Sequence, residues 1–246
     1  MTPRLAGLRR HPVKSVGVEA PEAVDLAPGR PMPLDRVWAV AHGASAYDAD
    51  APAWTPPNYF LRVTHSPRLA QVRAAWDGAT LHLTHPDRPA LAVDPDAEGD
   101  ALADWAGALA SDLQAGPYRL ARAADAMTDV DRPWIAVGAL ASLRALSERV
   151  GRPLSPDRFR ANLWLDGLAP WEEREWEGRE ITIGAARLRV TEIIVRCAAT
   201  EADPETGRRD APVVRALREA VGAPEFAVYA EVIEGGRVAA GDPVSA

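Results

Sequence analysis

Few residues of this 246-residue chain have side chains suited to chemistry, and the first is its single cysteine. Cys197 closes the β-patterned run TEIIVRC and precedes the polar stretch AATEADPETGRRD. A thiol at a strand-to-loop junction is open to solvent in part, and as a thiolate it serves as a nucleophile or a soft-metal ligand. The alternative is a small buried hydrophobe. Arg196, Arg208 and Arg209 lie close by in sequence, and positive neighbours favour the anion. A regular strand would, however, turn Arg196 to the face opposite Cys197.

The 28 basic residues include one lysine, Lys14, within HPVKSVG. Lys14 and Ser15 form a compact donor group suited to a phosphate, the lysine as a point charge and the serine as a hydroxyl. The glycine spacing of a Walker loop is absent. Arg36, in DRVWAV, adds a second positive charge. In RFRANLWLD, strand alternation puts Arg158, Arg160, Asn162 and Trp164 on one face and Phe159, Ala161, Leu163 and Leu165 on the other. A guanidinium fork beside an amide fits a phosphate or a polar heterocycle, and a solvated strand face is the alternative.

Other chemistries are excluded or disfavoured. His82 and His85, three apart on a predicted strand, face opposite sides, so zinc lacks a convergent ligand set. No G-x-S-x-G elbow is present. One cysteine excludes an internal disulfide and a four-cysteine iron–sulfur cluster. Glu172, Glu173, Glu175 and Glu177 read as a solvated acidic surface. A net charge of −7 with no basic stripe argues against nucleic acid as a partner. The longest apolar run, Pro133 to Leu143, is too short to cross a bilayer, and the first residues lack the apolar core of a secretory leader. The expectation is a cytoplasmic protein with no membrane partner.

The elements that must position these groups are mostly short. A composition of 47% hydrophobic and 26% charged residues is that of a globular chain. Strand patterns fill residues 1–85, including a hairpin over LAQVRAAWDGATLHLTHP that turns at Asp77-Gly78. The proline-rich segment 44–58 reads as a loop. Spacing predicts a helix over 101–113, with Leu102, Trp105, Ala106, Leu109 and Leu113 on one face, Asp100 as its cap and Gly116-Pro117 as its stop. ARAADAMTDVDRP joins two halves, 1–122 and 123–246. The second half predicts a helix over 138–150 ended by Gly151, a strand over 158–167 and a strand pair over 179–197. A further helix opens at Asp210 and Pro212 with Val213, Val214, Leu217 and Val221 facing inward, and a hairpin over Gly235-Gly236 closes the chain. Many short strands with isolated helices give an α+β, β-dominated, barrel-like fold class.

HPVKSVG, DRVWAV, SPRLAQV, DRFRANLWLDG, EWEGREITIG, LRVTEIIVRCAATEADPETG and GRVAAGDPV, in that order, resemble the MOSC family. The similarity is to the branch with a β-barrel N-terminal domain, which includes the mitochondrial amidoxime-reducing component. It implies a β-barrel-like MOSC domain after a β-rich N-terminal domain, and a molybdenum cofactor: a pterin dithiolene ending in a phosphate (molybdopterin). By the same resemblance Cys197 is the molybdenum ligand and the catalytic residue. Lys14, Ser15 and Arg36 meet the phosphate end, Arg160 and Asn162 approach the pterin, and Thr200 matches a threonine after the cysteine. The implied activity is a molybdenum-dependent oxidoreductase that reduces N-hydroxylated substrates, such as amidoximes and hydroxylamines, with electrons from a separate reductase protein. The same signature fits a protein that binds or delivers the cofactor without turnover, or a carrier of sulfur as a Cys197 persulfide. Pyridoxal phosphate on Lys14 is a further alternative, but a lysine gripping phosphate is protonated, whereas a Schiff-base lysine needs a lowered pKa. Ala161, Val16 and Ala227 replace the proline, cysteine and glycine usual in the family, which bears on substrate preference more than on cofactor binding.

Overall fold

The computed structural model describes residues 2–48 and 53–246. The chain runs through β1 (Arg4–Leu8), β2 (Ala23–Leu26), β3 (Trp38–Ala41), β4 (Arg73–Trp76), β5 (Leu81–His85), β6 (Arg88–Val93), α1 (Gly99–Gly107) and β7 (Arg119–Arg122). It continues through β8 (Ile135–Ala139), α2 (Leu140–Val150), β9 (Leu163–Asp166), β10 (Glu180–Ile183), β11 (Ala186–Val195), α3 (Val213–Val221), β12 (Glu225–Glu234), β13 (Gly236–Ala239) and β14 (Val244–Ser245). The α+β, β-dominated class read from the sequence is the observed one.

Seven strands form a nearly closed barrel in the order β1-β9-β8-β12-β11-β10-β14. All neighbours are antiparallel except β8 and β9, which α2 connects in parallel. The two ends of the sheet meet where Arg4 bridges Pro243 and the Leu5 N–H donates to the Asp242 carbonyl at 2.8 Å. Closure removes the free edges that an open sheet would expose. Inward-facing Leu5, Leu8, Val137, Leu163, Leu165, Ile183, Leu188, Val190 and Val228 fill the barrel and are completely buried. A second core, with Val13, Val40, Leu69, Leu81, Leu83, Leu102 and Leu109, sits among β3, β7, the β4-β5-β6 sheet and α1.

α2 and α3 lie where the apolar spacing predicts them. Gly151 and Gly222 end them in the left-handed region, with φ of 81° at each. In α3, Val213 and Leu217 are buried, while Val214 and Val221 are only half-buried. The strand pair β10-β11 also matches its prediction.

Four expectations are corrected. α1 begins after Glu98, with no side-chain cap there, rather than after Asp100, and it ends at Gly107, where a Cβ would stand 2.1 Å from Tyr118 Cδ2. Leu113 therefore lies past the helix and is exposed. The β4-β5 hairpin exists, but its turn sits one residue later than predicted. Asp77 Oδ1 accepts the N–H groups of Ala79 and Thr80, leaving Gly78-Ala79 at the tip. The closing hairpin over Gly235-Gly236 does not form, because the chain leaves the barrel after Glu234 and β13 pairs with β2 instead. A Cβ at Gly236 would lie 2.4 Å from the Ala185 carbonyl oxygen, so the crossing needs glycine. The strand predicted over 158–167 is confined to β9. Residues 156–158 form a 3-10 turn, and Arg160 has φ of 49°. Within the proline-rich loop, Pro57–Tyr59 make a 3-10 turn, and residues 49–52 lie outside the described residues. Among the described residues no helix is long and apolar enough to cross a membrane.

Candidate functional site

A cavity of about 540 Å³ opens between the barrel and the second core. Lys14, Ser15, Arg36, Arg160, Asn162, Cys197 and Thr200 all line it. The volume lies within the range of ~300–1,000 Å³ typical of small-molecule sites. The groups come from distant parts of the sequence, and backbone hydrogen bonds hold them together. The Lys14 N–H donates to Trp38 O at 2.7 Å, and the Arg36 N–H to His11 O at 2.7 Å. Arg36 Nη2 donates to the carbonyl of Arg160 at 3.1 Å, which ties the two halves at the cavity wall.

The cationic wall is strained, and its lysine is buried. Ser15, Arg36 and Arg160 all have positive φ, at 62°, 55° and 49°. Non-glycine residues in this region cost about 1–3 kcal/mol each and persist where the surroundings over-determine them. Lys14 is 2% exposed, and its ammonium donates to Met127 O at 2.8 Å and to Asp129 Oδ1 at 2.5 Å. Burial lowers the Lys14 pKa against the pull of Asp129. The Arg36 guanidinium pairs with Asp35, whose charge, with that of Asp129, outweighs desolvation and raises the Arg36 pKa. Arg160 donates to the carbonyls of Gly17 and Val13. Burial, followed by repulsion from Arg36, lowers its pKa to about 9. Asp129 is open to solvent at the rim, and Lys14 and Arg36 outweigh its partial desolvation to hold the carboxyl below its usual range.

Asn162 lines the cavity but spends its amide inside the protein. Its Oδ1 accepts the Ala136 N–H at 3.1 Å, and its Nδ2 donates to Arg9 O at 3.2 Å. The side-by-side placing of Arg160 and Asn162 is therefore not strand alternation. It follows from the turn at Arg160, which swings that side chain toward Gly17.

Cys197 forms the opposite chemical feature. β11 ends at Val195, so Arg196 and Cys197 lie beyond the regular strand and both line the cavity. Arg196 thus does not point away, as strand geometry suggested. Cys197 is exposed rather than sealed in a core. Its carbonyl accepts Thr200 Oγ1 at 2.9 Å and the Thr200 N–H at 3.1 Å, so buried Thr200 fixes the turn that presents the sulfur. Behind it, Arg196 donates to Phe226 O and Phe159 O, both at 2.8 Å. Burial lowers the Arg196 pKa to about 10, and its Nη2 is buried with no partner.

Residues 2–130 match the MOSC N-terminal beta barrel domain, and residues 126–245 match the MOSC domain. The chain belongs to the MOSC family. Mitochondrial amidoxime reducing component 2 of Macaca fascicularis is 30% identical over 118 residues, a match covering 42% of this chain and 34% of that protein. Molybdenum cofactor sulfurase of Anopheles gambiae is 38% identical over 74 residues, covering 30% of this chain and 9% of that protein. The chain thus spans about a third of the first relative's length and less than a tenth of the second's. The crystal structure of the YUAD protein from Bacillus subtilis is similar over 99% of this chain and 94% of that one, with 14% identity and a TM-score of 0.48.

Several MOSC cavity residues escaped the sequence reading. Arg62, Thr64, Asp129 and Tyr229 line the site from segments without a motif, while Glu192 and Arg196 line it from the run TEIIVRC, where strand geometry had turned Arg196 away from Cys197. Asp35 and His11 support it from behind: His11 is completely buried, its N–H donates to Asp35 Oδ1 at 2.8 Å, and its Nδ1 lies 3.1 Å from the same oxygen. Burial and then Arg160 lower the His11 pKa to about 3. Glu173 is a correction of another kind. It belongs to the acidic run read as solvated, yet it is completely buried, because it turns inward to accept Ser142 Oγ at 2.7 Å.

Proposed function

We propose that this chain holds a molybdenum cofactor in the cavity through Cys197 and reduces N-hydroxylated compounds, taking electrons from a separate reductase protein. The observation that carries the reading is the meeting of one exposed thiol and a buried cationic wall in a single cavity. The donor set fits the group: a thiolate suits a soft metal, and guanidinium and ammonium groups suit a phosphate. The buried, unpartnered Arg196 Nη2 also leaves a donor for an oxygen-rich ligand.

When bound, the cofactor would supply the two-electron chemistry that turns an amidoxime, two electrons and two protons into an amidine and water. The chain's own residues bind and orient. Lys14, Ser15 and Arg36 would hold the phosphate, with Lys14 exchanging its Asp129 partner for it. Arg160 would donate toward the pterin, and Asn162 would keep the wall in place through Ala136 and Arg9. Thr200 would fix the approach of Cys197 Sγ. A charge-assisted hydrogen bond contributes ~1.5–3 kcal/mol, so loss of one anchor weakens cofactor retention without abolishing folding.

The test is reduction of benzamidoxime by purified, molybdenum-loaded protein with an artificial electron donor. Turnover is expected. Metal retention without turnover would leave only the binding or delivery function.

A further inference from the structure

A second cationic group lies beside Cys197 and has no part in the reading above. Thr64 Oγ1 is 3.5 Å from Cys197 Sγ, and the Thr64 carbonyl accepts Arg209 Nη2. Two residues earlier, Arg62 lines the same cavity. Its segment is fixed from behind, because the Arg62 N–H donates to Gln114 Oε1 at 3.0 Å and buried Gln114 donates in turn to Phe60 O at 2.8 Å. Arg62 Nη2 lies 2.9 Å from His65 Nε2, which must then accept, so the imidazole is neutral and the arginine alone carries charge. Burial and the charges of Arg62 and Arg209 lower the His65 pKa in agreement. Arg62 Nε is buried and has no partner.

At the other end Lys14 sits on Asp129, Arg36 on Asp35 and Arg158 on Asp210, while Arg160 and Arg196 donate to backbone carbonyls. Among the described residues no ion pair involves Arg62 or Arg209. A buried donor without an acceptor costs free energy, and a ligand oxygen would restore it. The guanidinium fork matches two oxygens of a carboxylate or phosphate.

We propose that Arg62 binds an anionic group, carboxylate or phosphate, carried by the substrate beside Cys197, with Arg209 adding to the local positive potential. The inference rests on the reductase reading and names its substrate class: N-hydroxylated compounds with an acidic substituent. Neutral ones leave Arg62 Nε unpaired.

The experiment compares 4-carboxybenzamidoxime with benzamidoxime. The expected kcat/KM ratio favours the carboxylate by about tenfold, the worth of one charge-assisted hydrogen bond. Arg62→Gln abolishes the preference, Arg62→Lys keeps part of it, and both variants retain molybdenum. Equal kcat/KM values in the parent protein overturn the proposal, and so does loss of molybdenum from Arg62→Gln, which would assign Arg62 to the cofactor. A separate arm uses cofactor-free protein and the rate of Cys197 alkylation by iodoacetate relative to iodoacetamide. Arg62→Gln lowers that ratio severalfold, Arg62→Lys does not, and added salt shrinks the difference. An unchanged ratio refutes the anionic subsite whether or not the protein is a reductase. Absence of turnover on both amidoximes refutes the reductase reading alone.

Discussion

Replacing Glu173 by glutamine should reshape the pH dependence of stability. Glu173 sits in the 3-10 turn Glu172–Trp176 and presses against α2, where Ser142 Oγ donates to its Oε2 at 2.7 Å. The same Ser142 oxygen accepts the Trp171 N–H at 2.8 Å, so the pair fastens the turn to the helix. The other carboxylate oxygen is buried and unpartnered, and the adjacent Arg174 is engaged by Glu225 at 2.8 Å. Burial therefore raises the Glu173 pKa from 4.5 to about 7. The folded state keeps a proton that the unfolded state releases between these values. The stabilisation is present in full below pH 4.5 and is lost as pH rises toward 7. At ~1.36 kcal/mol per unit, the difference amounts to about 3 kcal/mol at most. Glu173→Gln keeps an acceptor for Ser142 and cannot ionise. Urea unfolding of both proteins at pH 5 and pH 8 measures the effect. The stability difference should move by about 2–3 kcal/mol in favour of the variant between those pH values. Parallel pH profiles would refute the argument, since they would mean that Glu173 carries no proton in the folded state.

Other outcomes follow from the cavity wall. Asn162→Ala leaves the Ala136 N–H and the Arg9 carbonyl without their partner, and each buried loss costs about 1–3 kcal/mol. Thermal unfolding should show a Tm drop of several degrees, and an unchanged Tm would contradict the bridging role. Asp129→Asn removes the charge that holds Lys14, so inorganic phosphate should bind roughly tenfold more tightly by calorimetry, the worth of one charge-assisted hydrogen bond. Unchanged or weaker binding counts against an anion site at Lys14. His11 should stay neutral from pH 5 to pH 8 in NMR titration, because burial and Arg160 hold its pKa at about 3. Its contribution to stability is present above 6.5 and is lost as pH falls toward 3. A His11 midpoint near 6.5 would show that the imidazole is not sealed.

The sequence made some of this legible for identifiable reasons. α2 and α3 were readable because their apolar faces repeat at helical spacing and a glycine follows each. All seven cavity residues singled out by type and motif line one cavity. What hid was non-local or strained. β13 is too short for its pattern to name β2 as its partner. Arg160 defeats an alternation argument, because a single left-handed residue redirects the chain. Arg62 stands between buried Leu61 and Val63 in a loop with no period, and only the fold brings it to the cavity that Cys197 lines. Glu173 is chemically identical to its exposed neighbours and differs only by facing Ser142. Sequence shows a residue's type but not which cavity its loop will border.

The most direct measurement is elemental analysis for molybdenum, together with phosphorus, on protein produced with the cofactor available. The parent protein and Cys197→Ser are compared at equal folding. The account predicts close to stoichiometric metal in the parent chain and a large loss in the variant. Equal molybdenum in both, or none in the parent, would contradict Cys197 as the ligand.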